Sequence, residues 1–131
     1  MKRCALLLAA CGHAASVPVE KFARSNETGA AVDVDRITVA GYVTIVDFWS
    51  ESCGACVVVG GMTAVAIAKQ PGVVLRKIDV GDGFTAVAKQ YAITALPHYR
   101  VYDKQRRLRY DLVGNDCLQA PAYATQLLRE P

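Results

Sequence analysis

The chain has 131 residues, which suffices for one compact domain and is too short for two. Hydrophobic residues make up 53% and charged residues 21%, a composition that excludes an intrinsically disordered chain. The formal net charge is +3, and it falls to +1 (13 basic and 12 acidic residues) without Lys2 and Arg3, which lie in a segment that we expect to be removed. A charge so close to neutral does not favour nucleic-acid binding, and we expect no nucleic-acid partner.

The N-terminal residues are typical of an export signal. Lys2 and Arg3 are positively charged and precede a short apolar run at residues 4–10. This run is far shorter than the roughly 20 residues that a membrane-spanning helix needs, but it fits a secretory signal. We predict a signal peptide at residues 1–10.

The end of this run indicates how the signal is processed. Leu8-Ala9-Ala10-Cys11 resembles the lipobox of bacterial lipoproteins, whose cysteine is lipidated and becomes the new N-terminus. The resemblance implies that acyl chains on Cys11 anchor the protein to a membrane. One alternative is an ordinary signal cut after Ala14 or Ala15, which would leave a soluble periplasmic protein. Another is a mistaken start codon in a cytosolic protein.

Residues 11–36 are predicted to form a tether. They are rich in small and polar residues such as Ser16, Asn26 and Gly29, and they contain few large apolar groups. As a flexible coil such a segment reaches about 25–30 Å. A short strand or helix within it is compatible with the sequence, but its position is not evident.

From residue 37 onward the hydrophobic pattern predicts one α/β domain, residues 37–131. The predicted elements are a strand at 42–49, a helix at 57–69, a strand at 73–79, a short helix at 84–91, strands at 98–102 and 108–113, and a helix at about 121–129. The first strand is a nearly continuous β-branched and aromatic run, which indicates burial on both faces. The first strand–helix–strand unit predicts a parallel crossover, and the last two strands predict an antiparallel hairpin. A mixed central sheet with helices on both faces follows.

Two of the five cysteines, Cys53 and Cys56, are separated by two residues between the first strand and the first helix. Cys53 thus occupies a helix N-terminus, where the helix dipole and free backbone N–H groups favour a thiolate. Cys56 follows nearly one turn later, close enough to displace a mixed disulfide. Zinc normally needs four ligands, and the sequence offers no second ligand pair. The placement favours redox exchange, with a structural bridge and a metal site as the alternatives.

The segment around this pair, Val46-Asp47-Phe48-Trp49-Ser50-Glu51-Ser52-Cys53-Gly54-Ala55-Cys56, resembles the active-site segment of the thioredoxin family. Ala95-Leu96-Pro97 resembles the loop that carries the family's cis-proline, and Gly114 matches the glycine that ends the last strand. The resemblance covers about residues 44–128 and implies the thioredoxin fold.

The resemblance also implies roles for individual residues. Cys53 would be the nucleophile and Cys56 the resolving thiol, and the two would form the Cys53–Cys56 disulfide. Asp47 would be the buried carboxylate that shuttles a proton to and from Cys56, with its pKa raised by burial. Lys77 matches the lysine that approaches this carboxylate, and a solvated lysine at a strand end is the alternative.

The family's substrate-binding surface maps onto a further set of residues. Pro97 in cis would place the Leu96 backbone beside the sulfurs, where it can pair with an extended substrate segment. The residues implied in substrate binding are Trp49, Gly54, Ala55, Leu96, Pro97 and Gly114. His98 is expected to be a polar strand residue that points elsewhere, and an influence on the sulfur chemistry is the alternative. Cys117 is expected to be a buried or idle thiol, and a regulatory or intermolecular thiol is the alternative.

The sequence differs from the usual thioredoxin pattern at three places around the cysteine pair. Ala55 replaces the proline that is usual between the cysteines, which predicts a somewhat less reducing pair. Ser52 stands where the family often has tryptophan, and Gly60-Gly61 falls where a kinking proline is usual.

We therefore expect a thiol–disulfide oxidoreductase that exchanges electrons with protein disulfides and needs no cofactor or metal. We expect a monomer, lipid-anchored in a bacterial envelope and facing the periplasm, with an upstream membrane electron donor. The alternative is a redox-inert thioredoxin-fold binding module whose cysteine pair is a permanent bridge. Asp47 argues against that alternative, because a structural bridge does not require a buried carboxylate that lowers stability.

Overall fold

The computed structural model describes residue 12 and residues 17–131. The predicted signal peptide (1–10) and Cys11 lie outside the described residues. The elements are β1 (Phe22–Arg24), α1 (Val34–Ile37), β2 (Val43–Trp49), α2 (Gly54–Ile67), β3 (Val73–Asp79), α3 (Ala86–Gln90), β4 (His98–Tyr102), β5 (Leu108–Val113), a 3₁₀ helix (Gly114–Gln119) and α4 (Ala120–Leu128). Within this described part, no helix combines the length and apolar character needed to cross a membrane.

The five strands form one mixed sheet in the order β1-β3-β2-β4-β5. β1, β3 and β2 run parallel to one another, whereas β4 is antiparallel to β2 and β5 to β4. Helices cover both faces of the sheet. The predicted α/β class, with a parallel crossover followed by an antiparallel hairpin, is confirmed.

Strand β2 lies at the centre of the sheet and is buried on both faces. Because successive side chains of a strand point to opposite faces, alternate residues of β2 enter different cores. Val43 and Ile45 pack in the core under α2 and α4, while Val46 and Phe48 pack in the core under α1 and α3. Asp47 has the same parity as Ile45, so its carboxyl group faces α2.

The folded part of the chain starts earlier than the predicted boundary at residue 37. Phe22 of β1 pairs with Leu75 of β3, and the Lys21 ammonium donates to the Val73 carbonyl oxygen at 2.9 Å. Val34 of α1 is 4% exposed and belongs to the core under α1 and α3, which we call the second core. The segment predicted as a tether therefore contributes one edge strand and one helix. β1 has three residues and a mostly exposed pattern, which gives the hydrophobic period too few positions to be recognised.

The other predicted boundaries differ from the structure by small amounts. β3, β4 and β5 span the predicted ranges, while α2 begins three residues before its predicted start at residue 57. Residues 114–119, for which no element was predicted, form the 3₁₀ helix that leads into α4.

Candidate active site

The cysteine pair lies at the point where β2 ends and α2 begins. Cys53 is the N-cap residue of α2, and its sulfur accepts a hydrogen bond from the backbone N–H of Cys56 at 3.1 Å. The two cysteines form a disulfide, with their Cα atoms 5.2 Å apart. Cys53 is half-buried, whereas Cys56 is 2% exposed. Of the two sulfurs, Cys53 is therefore the one that a partner can reach.

Asp47 lies fully buried under α2. Neither of its carboxyl oxygens has a hydrogen-bond partner among residues 12 and 17–131. Burial raises the pKa of the Asp47 carboxyl to about 7, against the opposing influence of the Lys77 charge and the nearby Tyr99 hydroxyl. A Cβ atom on Gly60 would lie 3.6 Å from Asp47 Oδ2, and Gly60 follows Cys56 by one helical turn on the same face. A group that gains or loses a proton near neutral pH thus lies on the buried side of Cys56.

Lys77 and Trp49 lie on the same side of the sheet as Asp47. Lys77 of β3 is the registered partner of Asp47, and its ammonium lies 4.0 Å from the centroid of the Trp49 ring. This contact keeps the positive charge beside the sheet, where it favours the ionised form of Asp47.

The loop before β4 approaches the cysteine pair from the other side. The Leu96–Pro97 peptide bond is cis. The Gly114 N–H donates to the Pro97 carbonyl oxygen at 2.8 Å, and the Cys117 thiol approaches the same oxygen at 3.5 Å. Hydrogen bonds from the segment after β5 therefore hold this loop in place.

An open groove of about 420 Å³ lies between the Cys53 loop, the loop after β3 and the loop before β4. Phe84 on its rim is 80% exposed. Its lining consists of Ser50, Ser52, Cys53, Val80, Gly81, Asp82, Gly83, Phe84, Ile93, Thr94, Ala95 and Leu96. Of the predicted site residues, Cys53 and Leu96 both line this groove. Asp47, Trp49 and Lys77 do not line it and lie on the inner side of the cysteine pair. Gly54 and Ala55 are exposed on the first turn of α2.

A sequence model of the thioredoxin family matches residues 30–120, which is more than half of the chain. The chain belongs to the thioredoxin family.

Individual thioredoxins match shorter stretches. Mitochondrial thioredoxin of Bos taurus is 36% identical over 64 residues, which cover 48% of this chain and 38% of that protein. Thioredoxin of Mycoplasma pneumoniae is 38% identical over 60 residues, covering 46% of this chain and 58% of that one. The matches therefore span less than two thirds of either relative. The solved structure of Trichomonas vaginalis thioredoxin superimposes with a TM-score of 0.64 at 21% identity, covering 82% of this chain and 98% of that one, and so shows the fold.

Two further residues singled out in the sequence, His98 and Cys117, are both buried. His98 is 8% exposed and hydrogen-bonds to Asp111, and its ring packs at a steep angle against Phe48, on the opposite face of the sheet from Asp47. Cys117 is fully buried, and burial raises the pKa of its thiol to about 12. Within the described residues, no group of three or more His, Cys, Asp or Glu side chains is arranged to hold a metal ion.

Two buried residues, Tyr99 beneath α2 and Thr63 on the inner face of α2, were not predicted from the sequence. Tyr99 is the registered β4 partner of Asp47, and its hydroxyl and Thr63 Oγ1 have no hydrogen-bond partner from any described residue. A tyrosine in a strand is ordinarily taken as core. The signal that could have identified it is the antiparallel register of β2 and β4, which the sequence alone does not reveal.

Proposed function

We propose that the protein is a thiol–disulfide oxidoreductase that exchanges electrons with protein disulfides through Cys53-Gly54-Ala55-Cys56. The observation that carries this proposal is an accessible sulfur at a helix N-terminus with a buried carboxyl behind it, whose pKa is about 7. A purely structural bridge needs neither feature. The family membership and the groove beside Cys53 agree with the same activity.

In the first step the Cys53 thiolate attacks one sulfur of a substrate disulfide. A mixed disulfide forms between Cys53 and that sulfur, and the other substrate sulfur leaves as a thiolate. The N-terminus of α2 stabilises the attacking thiolate through its dipole and through the Cys56 N–H, which already points at the Cys53 sulfur.

In the second step Cys56 resolves the mixed disulfide. The Cys56 thiol gives its proton to the Asp47 carboxylate, and the resulting thiolate attacks the Cys53 sulfur. The Cys53–Cys56 disulfide forms, the second substrate sulfur leaves as a thiolate, and two electrons have passed to the substrate. A pKa of about 7 suits Asp47 to this task, because the group can take and return a proton near neutral pH.

The groove beside Cys53 is suited to an extended segment of a protein substrate. Leu96 lines it next to the cysteine, and its backbone can pair with such a segment. The exposed Phe84 ring offers an apolar contact at the rim. These features favour the disulfides of proteins over those of small molecules as substrates.

The test is reduction of insulin disulfides with dithiothreitol as the electron source. We expect Cys53→Ser to reduce insulin no faster than dithiothreitol alone. Cys117→Ser is the matched control, because it also removes one thiol but from a buried position outside the groove, and it should match the wild type. Full activity of Cys53→Ser would overturn the proposal, and inactivity of the wild type would favour a redox-inert binding module.

We further propose that the protein is held on the periplasmic side of a bacterial envelope by lipid on Cys11 and receives electrons from a membrane donor. Support comes from Leu8-Ala9-Ala10-Cys11 in the sequence. We expect a labelled fatty acid to be incorporated into the wild type and into Cys4→Ser, and to be lost in Cys11→Ser together with membrane fractionation. An unlabelled, soluble wild type would refute the anchor and leave the redox proposal untouched.

A further inference from the structure

Four buried oxygen atoms lie between the sheet and α2: both carboxyl oxygens of Asp47, the Tyr99 hydroxyl, and Thr63 Oγ1 of α2 itself. None of them has a hydrogen-bond partner within the residues that the structure describes. Folded proteins pair nearly all buried polar atoms, because an unpaired one has lost its contact with water without compensation. A set of such atoms on one side of the cysteine pair therefore requires a chemical reason.

The strand register brings Asp47 and Tyr99 together. They are paired across β2 and β4, and paired residues point to the same face of a sheet. A Cβ atom on Gly60 would lie 3.6 Å from Asp47 Oδ2 and 4.0 Å from the Tyr99 hydroxyl oxygen, so both oxygens face the same point of α2. Thr63 lies about one turn further along α2 on that face and is 1% exposed.

One arrangement gives partners to three of these four oxygen atoms when Asp47 is ionised. A carboxylate only accepts hydrogen bonds, whereas each hydroxyl both donates and accepts. The Tyr99 hydroxyl can therefore donate to Asp47 while its oxygen accepts from the Thr63 hydroxyl. Burial, and after it the charge of Asp47, raises the pKa of Tyr99, so that the phenol keeps its proton.

We propose that Tyr99 is a positioning residue whose hydroxyl, backed by Thr63, holds the ionised Asp47 carboxylate and so sets how readily Asp47 takes the proton of Cys56. This inference rests on the proposed function, in which Asp47 accepts that proton. The proton moves from the Cys56 sulfur to the carboxylate, and Tyr99 keeps its own hydrogen throughout.

Other ionisable groups reach Asp47 from the elements packed around it. Lys77 of β3 favours the carboxylate, and Cys117 of the 3₁₀ helix stays neutral because burial raises its pKa to about 12. Cys56 of α2 does not titrate while it is in the disulfide. In the oxidised protein, a change in the titration of Asp47 after removal of the Tyr99 hydroxyl can therefore be assigned to that hydroxyl.

The test is a pH titration of the oxidised protein in which ¹³C NMR follows the Asp47 carboxyl. Tyr99→Phe keeps the ring and removes the hydroxyl, and we expect it to shift the pKa of Asp47 upward by about one unit, since a donor to the charged form is lost. Tyr102→Phe is the matched control: it lies on the same strand but in the core on the opposite face, and it should cause no shift. An unchanged or lowered pKa in Tyr99→Phe would overturn the proposal.

Thr63→Val provides a second variant of matched shape. We expect a smaller upward shift of the Asp47 pKa, because Tyr99 loses the group behind it. If Tyr99→Phe does not fold, Thr63→Val decides the matter: an upward shift supports the proposal and an unchanged pKa overturns it.

A kinetic readout connects the titration to the reaction. The rate at which Cys56 resolves a mixed disulfide should rise with pH, with a midpoint at the pKa of Asp47. Tyr99→Phe should move this midpoint to higher pH in the protein that has Asp47, and should have no such effect in an Asp47→Asn background. The NMR titration needs no turnover, so the two possible failures are distinguishable. An unchanged titration in an active protein overturns the Tyr99 assignment alone, and a shifted titration in a protein that reduces no disulfide overturns the proposed function alone.

Discussion

Asp47 is fully buried in the oxidised protein, and burial raises the pKa of its carboxyl to about 7. In the unfolded chain an aspartate titrates near 3.9, so between about pH 4 and pH 7 the folded protein holds a proton that the unfolded chain has released. The free energy of unfolding therefore falls as pH rises through this window. The difference in pKa corresponds to about 4 kcal/mol lost by pH 8 relative to pH 3 from this one group.

Replacing Asp47 by Asn should remove this pH dependence, because the amide keeps the shape of the side chain and does not titrate. We expect the unfolding free energy of Asp47→Asn, measured by urea denaturation of the oxidised protein, to lose most of the decline seen for the wild type between about pH 4 and pH 8. Equal declines in both proteins would contradict the burial of a titrating carboxyl at this position.

For a single residue such as Asp47, the sequence predicts burial but does not predict which residues lie beside it on the neighbouring strands. The burial of Asp47 was predictable, because β-branched and aromatic residues surround it on both sides along the chain. Its pairing with Tyr99 was not, because the register between β2 and β4 depends on the packing of the whole sheet. The positioning role proposed for Tyr99 therefore required the structure.

Among the elements, α2 contains Cys56, begins directly after its N-cap residue Cys53, and covers Asp47. It continues as one helix through Gly60 and Gly61, where the family usually has a kinking proline. Gly60 is buried over Asp47, and a Cβ atom there would make ordinary contacts of 3.6 Å with the carboxyl oxygen and 4.0 Å with the Tyr99 hydroxyl. Gly61 is exposed, and apart from the adjacent backbone of α2 a Cβ atom there would meet no atom of the described residues within 4 Å.

Alanine at either glycine should stabilise the helix, since Gly is about 0.5–1 kcal/mol less favourable than Ala in a helix interior. We expect both Gly60→Ala and Gly61→Ala to raise the free energy of unfolding by about that amount. Only Gly60→Ala should also raise the pKa of Asp47, because its methyl group covers the carboxyl more completely. Denaturation and a carboxyl titration measure the two effects. A pKa shift of equal size in Gly61→Ala would contradict this placement of the glycines.

β1 and the 3₁₀ helix were not predicted from the sequence for the same physical reason. β1 is held to β3 by backbone hydrogen bonds along three residues, and the 3₁₀ helix follows Gly114 without a hydrophobic repeat of its own. Hydrophobic periodicity detects long amphipathic or buried segments, so both escaped it. β2, β3 and α2 are long and apolar enough to be evident.

At the scale of the whole molecule, the segment before residue 37 belongs to the fold. Arg76 is 7% exposed, and its guanidinium donates to the backbone oxygens of Glu20 at 2.9 Å and Ile37 at 3.2 Å. β1 covers the outer edge of β3, and Val34 fills the second core. Removal of these residues would expose a strand edge and take away the Glu20 acceptor of the Arg76 guanidinium.

A chain that starts at residue 37 should therefore be less stable than one that starts at residue 17. We expect a loss of about 3 kcal/mol or more in the free energy of unfolding, since burial of Val34 alone contributes about 1.5–3 kcal/mol. The chain from residue 17 retains β1 and α1 and is the control. Equal urea midpoints for the two chains would show that the fold begins at residue 37.

In the proposed reaction Cys53 attacks substrate disulfides and Cys56 resolves the product. The most direct measurement is mass spectrometry of Cys56→Ser after incubation with insulin, followed by peptide mapping of the modified cysteine. We expect a stable mixed disulfide on Cys53 that dithiothreitol releases, and none in Cys53→Ser. Absence of the adduct, or its formation on Cys117 instead of Cys53, would contradict the proposed reaction.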